Sequence, residues 1–145
     1  MLMPDVNVLV AAHRSDARHH EGSRAWLEEV VNGHEIVGLS DAVATGFVRV
    51  VTHRRIFTEP TPLADALNSI AKLRQSAGVL RVTPGRAQWT IFERLCVDAD
   101  ARGNLVADAA HAATAIEAGA TWVTLDRDFA RFPGLSWRLP EPSSR

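Results

Sequence analysis

Short apolar segments alternate along this chain with longer amphipathic stretches, and this alternation restricts the fold more than any other feature. The apolar segments are short enough for strands, and the amphipathic stretches repeat their apolar residues at helical spacing. Strands that alternate with helices predict an α/β fold, with a parallel sheet covered by helices on both faces. The predicted strands are residues 1–3, 35–39, 79–82, 121–125 and 135–139.

Capping and stop residues define several of the helices between these strands. Ser40 is a good N-cap for a helix through residue 51, and Gly33 and Gly119 follow amphipathic stretches as C-terminal stop signals. Trp26 and Trp89 lie at apolar helical positions, so we predict that both are core residues.

Length and composition describe an ordinary globular chain. The 145 residues are enough for one domain, which we place at residues 1–139, with a frayed tail at 140–145. The only cysteine is Cys96, which excludes an internal disulfide and is typical of a reduced compartment. No segment has the length of a membrane span or the pattern of a secretory signal, so a cytoplasmic location without membrane contact is expected.

Acidic residues mark three places where chemistry is expected. Asp5 directly follows the first predicted strand, and Asp126 and Asp128 directly follow the strand at 121–125. Asp108 lies near the start of the Ala-rich helix that leads into that strand. Because sites in open parallel sheets form at the carboxyl ends of strands, we expect Asp5, Asp108 and Asp126 to face one crevice. Helix capping is the alternative role for Asp5, Asp126 and Asp128.

Clustered carboxylates repel one another and need a compensating charge. A divalent cation with oxygen ligands, Mg²⁺ or Mn²⁺, is the usual one, and such a cluster suits metal-assisted phosphoryl chemistry. Asn7 and Thr124 lie next to the acids and are expected to orient them. Arg127 and Arg131 are candidates for holding substrate phosphates, with plain surface solvation as the alternative.

Three motifs resemble the PIN domain, and more narrowly the VapC-type toxins of bacterial toxin–antitoxin pairs. They are Asp-Val-Asn-Val-Leu-Val from Asp5, Asn-Leu-Val-Ala-Asp-Ala through Asp108, and Val-Thr-Leu-Asp-Arg-Asp-Phe-Ala-Arg-Phe-Pro-Gly-Leu from Val123. The segment 40–57, with Gly-Phe-Val-Arg-Val-Val-Thr, resembles a mycobacterial-type branch of that group. The resemblance covers nearly the whole chain, and the C-terminal motif is the most specific.

The resemblance implies a three-layer α/β/α sandwich and a Mg²⁺- or Mn²⁺-dependent endoribonuclease that acts as a type II toxin. It also implies inhibition by a VapB-type antitoxin and a homodimer. Asp5, Asp108 and Asp126 match the metal-binding positions, and Asp128 matches a further acid. Two alternatives stay open: a metal-dependent phosphatase or DNA nuclease, and a non-catalytic PIN-like module that binds RNA or protein.

One position departs from the family pattern. The resemblance implies a glutamate on the helix after the second strand, and this chain has Gly46 there. The nearest acid is Asp41, five residues earlier, which is about 140° around a helix. A fourth ligand from Asp41 therefore requires an irregular helix start, and we expect one cation to bind well and a second weakly.

Overall fold

The computed structural model describes residues 1–143, and its centre is a five-stranded sheet in which every strand runs parallel. The strands are β1 (Leu2–Pro4), β2 (Val37–Ser40), β3 (Val79–Val82), β4 (Thr121–Val123) and β5 (Trp137–Arg138). Their order across the sheet is β3-β2-β1-β4-β5, so the predicted parallel sheet is confirmed. β3 has the predicted bounds, β1 begins one residue later, and β2, β4 and β5 are shorter than predicted by one, two and three residues.

Six α-helices within the described residues cover the sheet. The chain moves from β1 outward to β2 and β3, then returns to β4 on the other side of β1. Because parallel crossovers are right-handed, the helices before β3 cover one face and those after it cover the other. This is the expected α/β/α sandwich. The helices are α1 (Val6–His13), α2 (His20–Asn32), α3 (Asp41–Val51), α4 (Leu63–Gln75), α5 (Gln88–Asp98) and α6 (Asn104–Glu117).

Local signals set the helix ends as the sequence indicates. Ser40 caps α3, because its hydroxyl oxygen accepts a hydrogen bond from the Val43 N–H at 3.2 Å. Gly119 follows α6 with φ of 63°, in the left-handed region that glycine adopts at low cost. Trp26 is buried as predicted, at 1% exposure.

The prediction for Trp89 is wrong, because this side chain is 63% exposed. Helix α5 packs along α6 and fully buries only Leu95. The Trp89 ring lies on the outer side of α5 against Phe92, with ring centroids 5.0 Å apart. Helical spacing identifies an apolar face, and here that face is wider than the part of α5 that α6 covers.

Arg14 links the loop between α1 and α2 to the segment between α3 and α4 through a hydrogen bond and a ring contact. Its guanidinium donates to the Glu59 carbonyl at 2.8 Å and pairs with the Asp16 carboxylate at 2.6 Å. It also lies over the Phe57 ring, 4.2 Å from the centroid. On the other side of the loop, His20 bonds the Ala11 carbonyl through Nδ1 at 2.8 Å. Residues 14–20 are therefore held at both ends.

At the C-terminal end, Pro140 is buried and the Ser143 N–H donates to the Glu29 carboxylate at 3.1 Å. Residues 144 and 145 of the predicted tail lie outside the described residues. No helix in the described part of the chain is long and apolar enough to cross a membrane.

Candidate functional site

The change of direction in the sheet lies between β1 and β4, and an acidic residue follows each of these strands. Asp5 directly follows β1, and Asp126 lies three residues after the end of β4. The Asp5 N–H donates to the Val123 carbonyl at 2.8 Å, which fixes the two strand ends side by side. Ligand crevices in α/β sheets form at such a point.

Asp108 reaches the same crevice from α6, where it is the fifth residue of the helix. Together with Asp5 and Asp126 it lines a cleft of about 370 Å³, which we call the acid cleft. Asp5 is 7% exposed, and Asp108 and Asp126 are half-buried. Asp128 lies exposed beside the cleft. The structure thus brings together the three acids on which the sequence prediction depends.

One hydroxyl connects two of these acids. Thr124 is fully buried, and its Oγ1 donates to Oδ2 of Asp5 at 2.7 Å. The same oxygen accepts from the Asp126 N–H at 3.0 Å and from Nδ2 of Asn7 at 3.2 Å. Nδ2 of Asn7 also donates to Asp5 at 3.1 Å. Since a hydroxyl has one donor and two acceptor positions, Thr124 uses its full capacity within this network.

The capping alternative applies to Asp126 and not to Asp5. Asp126 precedes a 3-10 helix at Arg127–Arg131, and its Oδ1 accepts from the Asp128 N–H at 2.9 Å. Asp5 occupies the N-cap position of α1, but its side chain makes no capping hydrogen bond there. Its carboxylate is directed to Thr124 and Asn7 instead.

Burial and mutual repulsion raise the proton affinity of the clustered acids. Burial raises the pKa of Asp5 to about 6, the charge of Asp126 adds to the rise, and the Thr124 hydrogen bond opposes it. Burial also raises the pKa of Asp108 to about 6, and the charges of Asp5, Asp126 and Asp128 add to it. Within residues 1–143, Asp108 has no hydrogen-bond donor and none of these acids has an ion-pair partner.

The donor set fits a hard divalent cation. Carboxylate oxygens are the ligands that Mg²⁺ and Mn²⁺ prefer, and the repulsion in the acid cleft is what a cation would relieve. In the described residues, no three His, Cys, Asp or Glu side chains are already close enough to hold one ion. The fit therefore rests on the chemistry and charge of the acids, and not on a preformed set of metal ligands.

Asp41 is not brought to the acid cleft. It lies at the first turn of α3, where Arg74 pairs with it at 2.6 Å and Arg81 binds its other oxygen. The Arg81 hydrogen bond is the main reason that the pKa of Asp41 is lowered. Both carboxylate oxygens are therefore engaged on another part of the surface.

Gly46 faces α1 at close range. A Cβ at this position would lie 2.7 Å from Cγ2 of Val6, the residue directly after Asp5. Val6 thus occupies the space through which a side chain at position 46 would approach the acid cleft. Asp41 is the only acid of α3, so α3 adds no carboxylate to the cleft.

The two arginines that were candidates for phosphate contact occupy different places. Arg127 is exposed and lines a neighbouring cleft, whereas Arg131 is exposed and lines neither cleft. His111, one turn beyond Asp108, does not line the acid cleft; its ring stacks on buried Trp122 at 5.5 Å between centroids.

Comparison with known proteins gives consistent matches over nearly the whole chain. The PIN domain family matches residues 2–135. The chain is 50% identical over 140 residues to Ribonuclease VapC43 of Mycobacterium tuberculosis, covering 97% of this chain and 95% of that protein. It is 39% identical over 135 residues to Ribonuclease VapC25 of the same species, covering 93% and 95%.

Among solved structures, VapBC2 from Rickettsia felis bound to a promoter DNA fragment aligns with a TM-score of 0.69 at 17% identity. The alignment covers 95% of this chain and 97% of that one. At this identity the match supports the fold alone.

Proposed function

The chain belongs to the PIN domain family and, within it, to the VapC ribonucleases, and we propose that it cuts RNA at the acid cleft with a divalent cation held by Asp5, Asp108 and Asp126. The observation that carries this proposal is the meeting of three carboxylates at the sheet's change of direction, none of which has an ion-pair partner within residues 1–143. Asp128, exposed beside the cleft, adds its negative charge to the site.

Each residue of the network has a role in this proposal. Mg²⁺ or Mn²⁺, when bound, supplies positive charge to the phosphodiester and lowers the pKa of the attacking water. Thr124 and Asn7 hold the Asp5 carboxylate in place, and the Thr124 hydroxyl also fixes the backbone of Asp126. No group in residues 1–143 donates a hydrogen bond to Asp108, so its oxygens are available to the ion.

The toxin role implies a partner protein that inhibits the toxin. VapBC complexes have the same fold in their VapC component, and we propose a VapB-type antitoxin as the inhibitor of this chain and a homodimer as its assembly. Co-expression with the product of the neighbouring reading frame, followed by co-purification and loss of RNA cleavage, tests the inhibitor. Light scattering on the purified chain tests the dimer.

Incubation of the purified chain with total RNA tests the activity itself. We expect internal cleavage with Mg²⁺ or Mn²⁺, loss of cleavage in excess EDTA, and recovery when the cation is added back. Parallel reactions with single-stranded DNA and with p-nitrophenyl phosphate separate the nuclease from the phosphatase alternative. RNA binding without cleavage under every metal condition would instead favour the non-catalytic module.

Removal of Asp41 should leave cation binding unchanged. Both of its oxygens are held by Arg74 and Arg81, away from the acid cleft. Calorimetric titration with Mn²⁺ should therefore give one principal site in the wild type and the same affinity in Asp41→Ala. Asp126→Ala is the matched comparison, and we expect it to weaken binding by about tenfold or more. Two tight sites in the wild type, reduced to one in Asp41→Ala, would show that Asp41 is a ligand.

A further inference from the structure

A second cleft opens directly from the acid cleft and is larger and more polar. Its volume is about 700 Å³, and we call it the α2 cleft because the loop before α2 and the first turn of α2 form one wall. Arg127 and residues 139–141 form the opposite wall. Ala17, Arg18, His19 and Leu125 line both clefts, so the two are continuous.

The first turn of α2 presents unused hydrogen-bond donors to this cleft. The N–H groups of Glu21 and Gly22 have no acceptor within residues 1–143, and no side chain caps the helix. A Cβ on Gly22 would meet nothing within 4 Å, so the backbone there is open to approach. A helix N-terminus with free N–H groups attracts anions.

A buried hydroxyl in the same wall also lacks a partner. Ser23 is 1% exposed and lines the α2 cleft, yet its Oγ has no hydrogen-bond partner in the described part of the chain. Buried hydroxyls almost always have a partner. Ser23 directly follows Gly22 in the chain, so the first turn of α2 combines free backbone donors with an unpartnered hydroxyl in one wall of the cleft.

Two arginines complete the arrangement from opposite sides. Arg18 and Arg127 are exposed, and neither has an ion-pair partner among residues 1–143. The loop that carries Arg18 is fixed by Arg14 at one end and by His20 at the other, so its position does not depend on a ligand. Glu21 and Glu141 also line the cleft and balance the formal charges of the two arginines, so the free N–H groups and the positions of the guanidinium groups, and not a net charge, favour a phosphate there.

We propose that the α2 cleft binds a backbone phosphate of the RNA strand next to the one that is cut, through Arg18, Arg127 and the first turn of α2. This inference rests on the proposed function and assigns the path of the substrate strand away from the acid cleft. A non-bridging phosphate oxygen is the acceptor that the unused donors lack, and guanidinium groups bind phosphates in a bidentate manner. The acidic pair Glu21 and Glu141 limits the affinity of the cleft for free anions.

Fluorescence anisotropy with a labelled single-stranded RNA tests the proposal directly. The full chain carries Asp108→Asn so that the RNA stays intact, and Arg18→Ala and Arg127→Ala are added singly over a series of salt concentrations. Each should weaken binding by about tenfold, as for the loss of one charge-assisted hydrogen bond. Each should also lower the slope of log K against log salt by about 0.7.

Arg86→Ala is the matched control. Arg86 is an exposed arginine that lines neither cleft. The backbone N–H groups on either side of it, those of Gly85 and Ala87, donate to the Glu117 carboxylate. Glu117 ends α6, whereas Asp108 lies near the start of that helix. Its removal should leave affinity and salt slope unchanged, whereas Glu21→Gln should tighten RNA binding. Equal losses in Arg86→Ala and in the two cleft variants would reveal only a general charge effect and would overturn the proposal.

Kinetics on the otherwise unaltered chain separate this proposal from the proposed function. We expect Arg18→Ala and Arg127→Ala to raise KM with little change in kcat, the pattern for a contact made equally before and during the reaction. Normal cleavage with unchanged KM and salt slope in both variants would overturn the cleft proposal alone. Absence of cleavage by the wild type would overturn the proposed function. If inorganic phosphate stabilises the fold while both variants bind RNA normally, the cleft holds a free anion and the proposal fails.

Discussion

Asparagine in place of Asp108 should abolish RNA cleavage while the chain stays folded. Asn has almost the same shape but carries no charge, so the acid cleft loses one of its three carboxylates and much of its attraction for a divalent ion. We expect kcat/KM to fall by about a thousandfold or more, which corresponds to roughly 4 kcal/mol of transition-state stabilisation. Asp98→Asn, an exposed acid at the end of α5, is the matched control and should cleave normally.

The same substitution should stabilise the metal-free protein, in a manner that depends on pH. The pKa of Asp108 is raised to about 6, so between about pH 4 and pH 6 the folded chain keeps a proton that the unfolded chain releases. The ionised Asp108 carboxylate therefore destabilises the folded wild type above pH 6, and the protonated group has no such effect below pH 4. In EDTA at pH 7.5, Asp108→Asn should be more stable by no more than about 1–2 kcal/mol, because water screens this half-exposed group.

Denaturant unfolding in EDTA at pH 7.5 and pH 4 measures this difference. The stability difference should disappear at the lower pH. His13 and His111, whose pKa values are lowered by desolvation, are present in both proteins. A variant that cuts RNA at the wild-type rate in saturating Mg²⁺ would remove Asp108 from the mechanism. A stability difference that grows toward pH 4 would contradict the electrostatic account.

Thr124→Val should be the second most damaging change. Valine has nearly the same shape, but it loses the donor to Asp5 and the acceptor for the Asp126 N–H and for Asn7. We expect a loss of about 2–4 kcal/mol in the free energy of unfolding, because buried polar groups remain unsatisfied. Cleavage should fall by about tenfold to a hundredfold, as for other residues that orient metal-binding side chains.

Two measurements distinguish positioning by Thr124 from a purely structural role. The Thr124 hydrogen bond lowers the pKa of Asp5, so its loss should move the acid limb of the pH–rate profile to higher pH. Thr124→Ser keeps the hydroxyl and should restore both the rate and the profile. If Thr124→Ser, which keeps the hydroxyl, behaved like Thr124→Val, the hydrogen bonds of Thr124 would not explain the loss.

Local sequence signals were sufficient for the positions of the acids. Asp5 and Asp126 follow strands whose apolar character is plain, and Asp108 lies on a helix with a clear glycine stop. Because parallel strands end at one edge, a common crevice was expected if the two strands were neighbours, and the sheet order places β1 beside β4. The short 3-10 helix after Asp126 was not predicted, since a single turn has no periodicity to detect.

Contacts between distant segments were beyond sequence reasoning. The ion pairs that hold Asp41 come from Arg74 and Arg81, more than thirty residues away, and spacing on α3 contains no information about them. The exposure of Trp89 depends on how much of α5 its neighbour α6 covers. The α2 cleft likewise arises from the meeting of residues 15–23 with residues 139–141.

The contact between Gly46 and Val6 restricts the order in which a fourth acid can evolve here. A Cβ at position 46 would lie 2.7 Å from Cγ2 of Val6, so we expect Gly46→Glu alone to destabilise the fold. Val6→Ala removes the contacting methyl groups, so we expect the fold to tolerate Gly46→Glu better in that background. The three-acid cleft is in this sense a local optimum, and an ancestral or laboratory lineage that passes through Val6→Ala would be the one able to leave it.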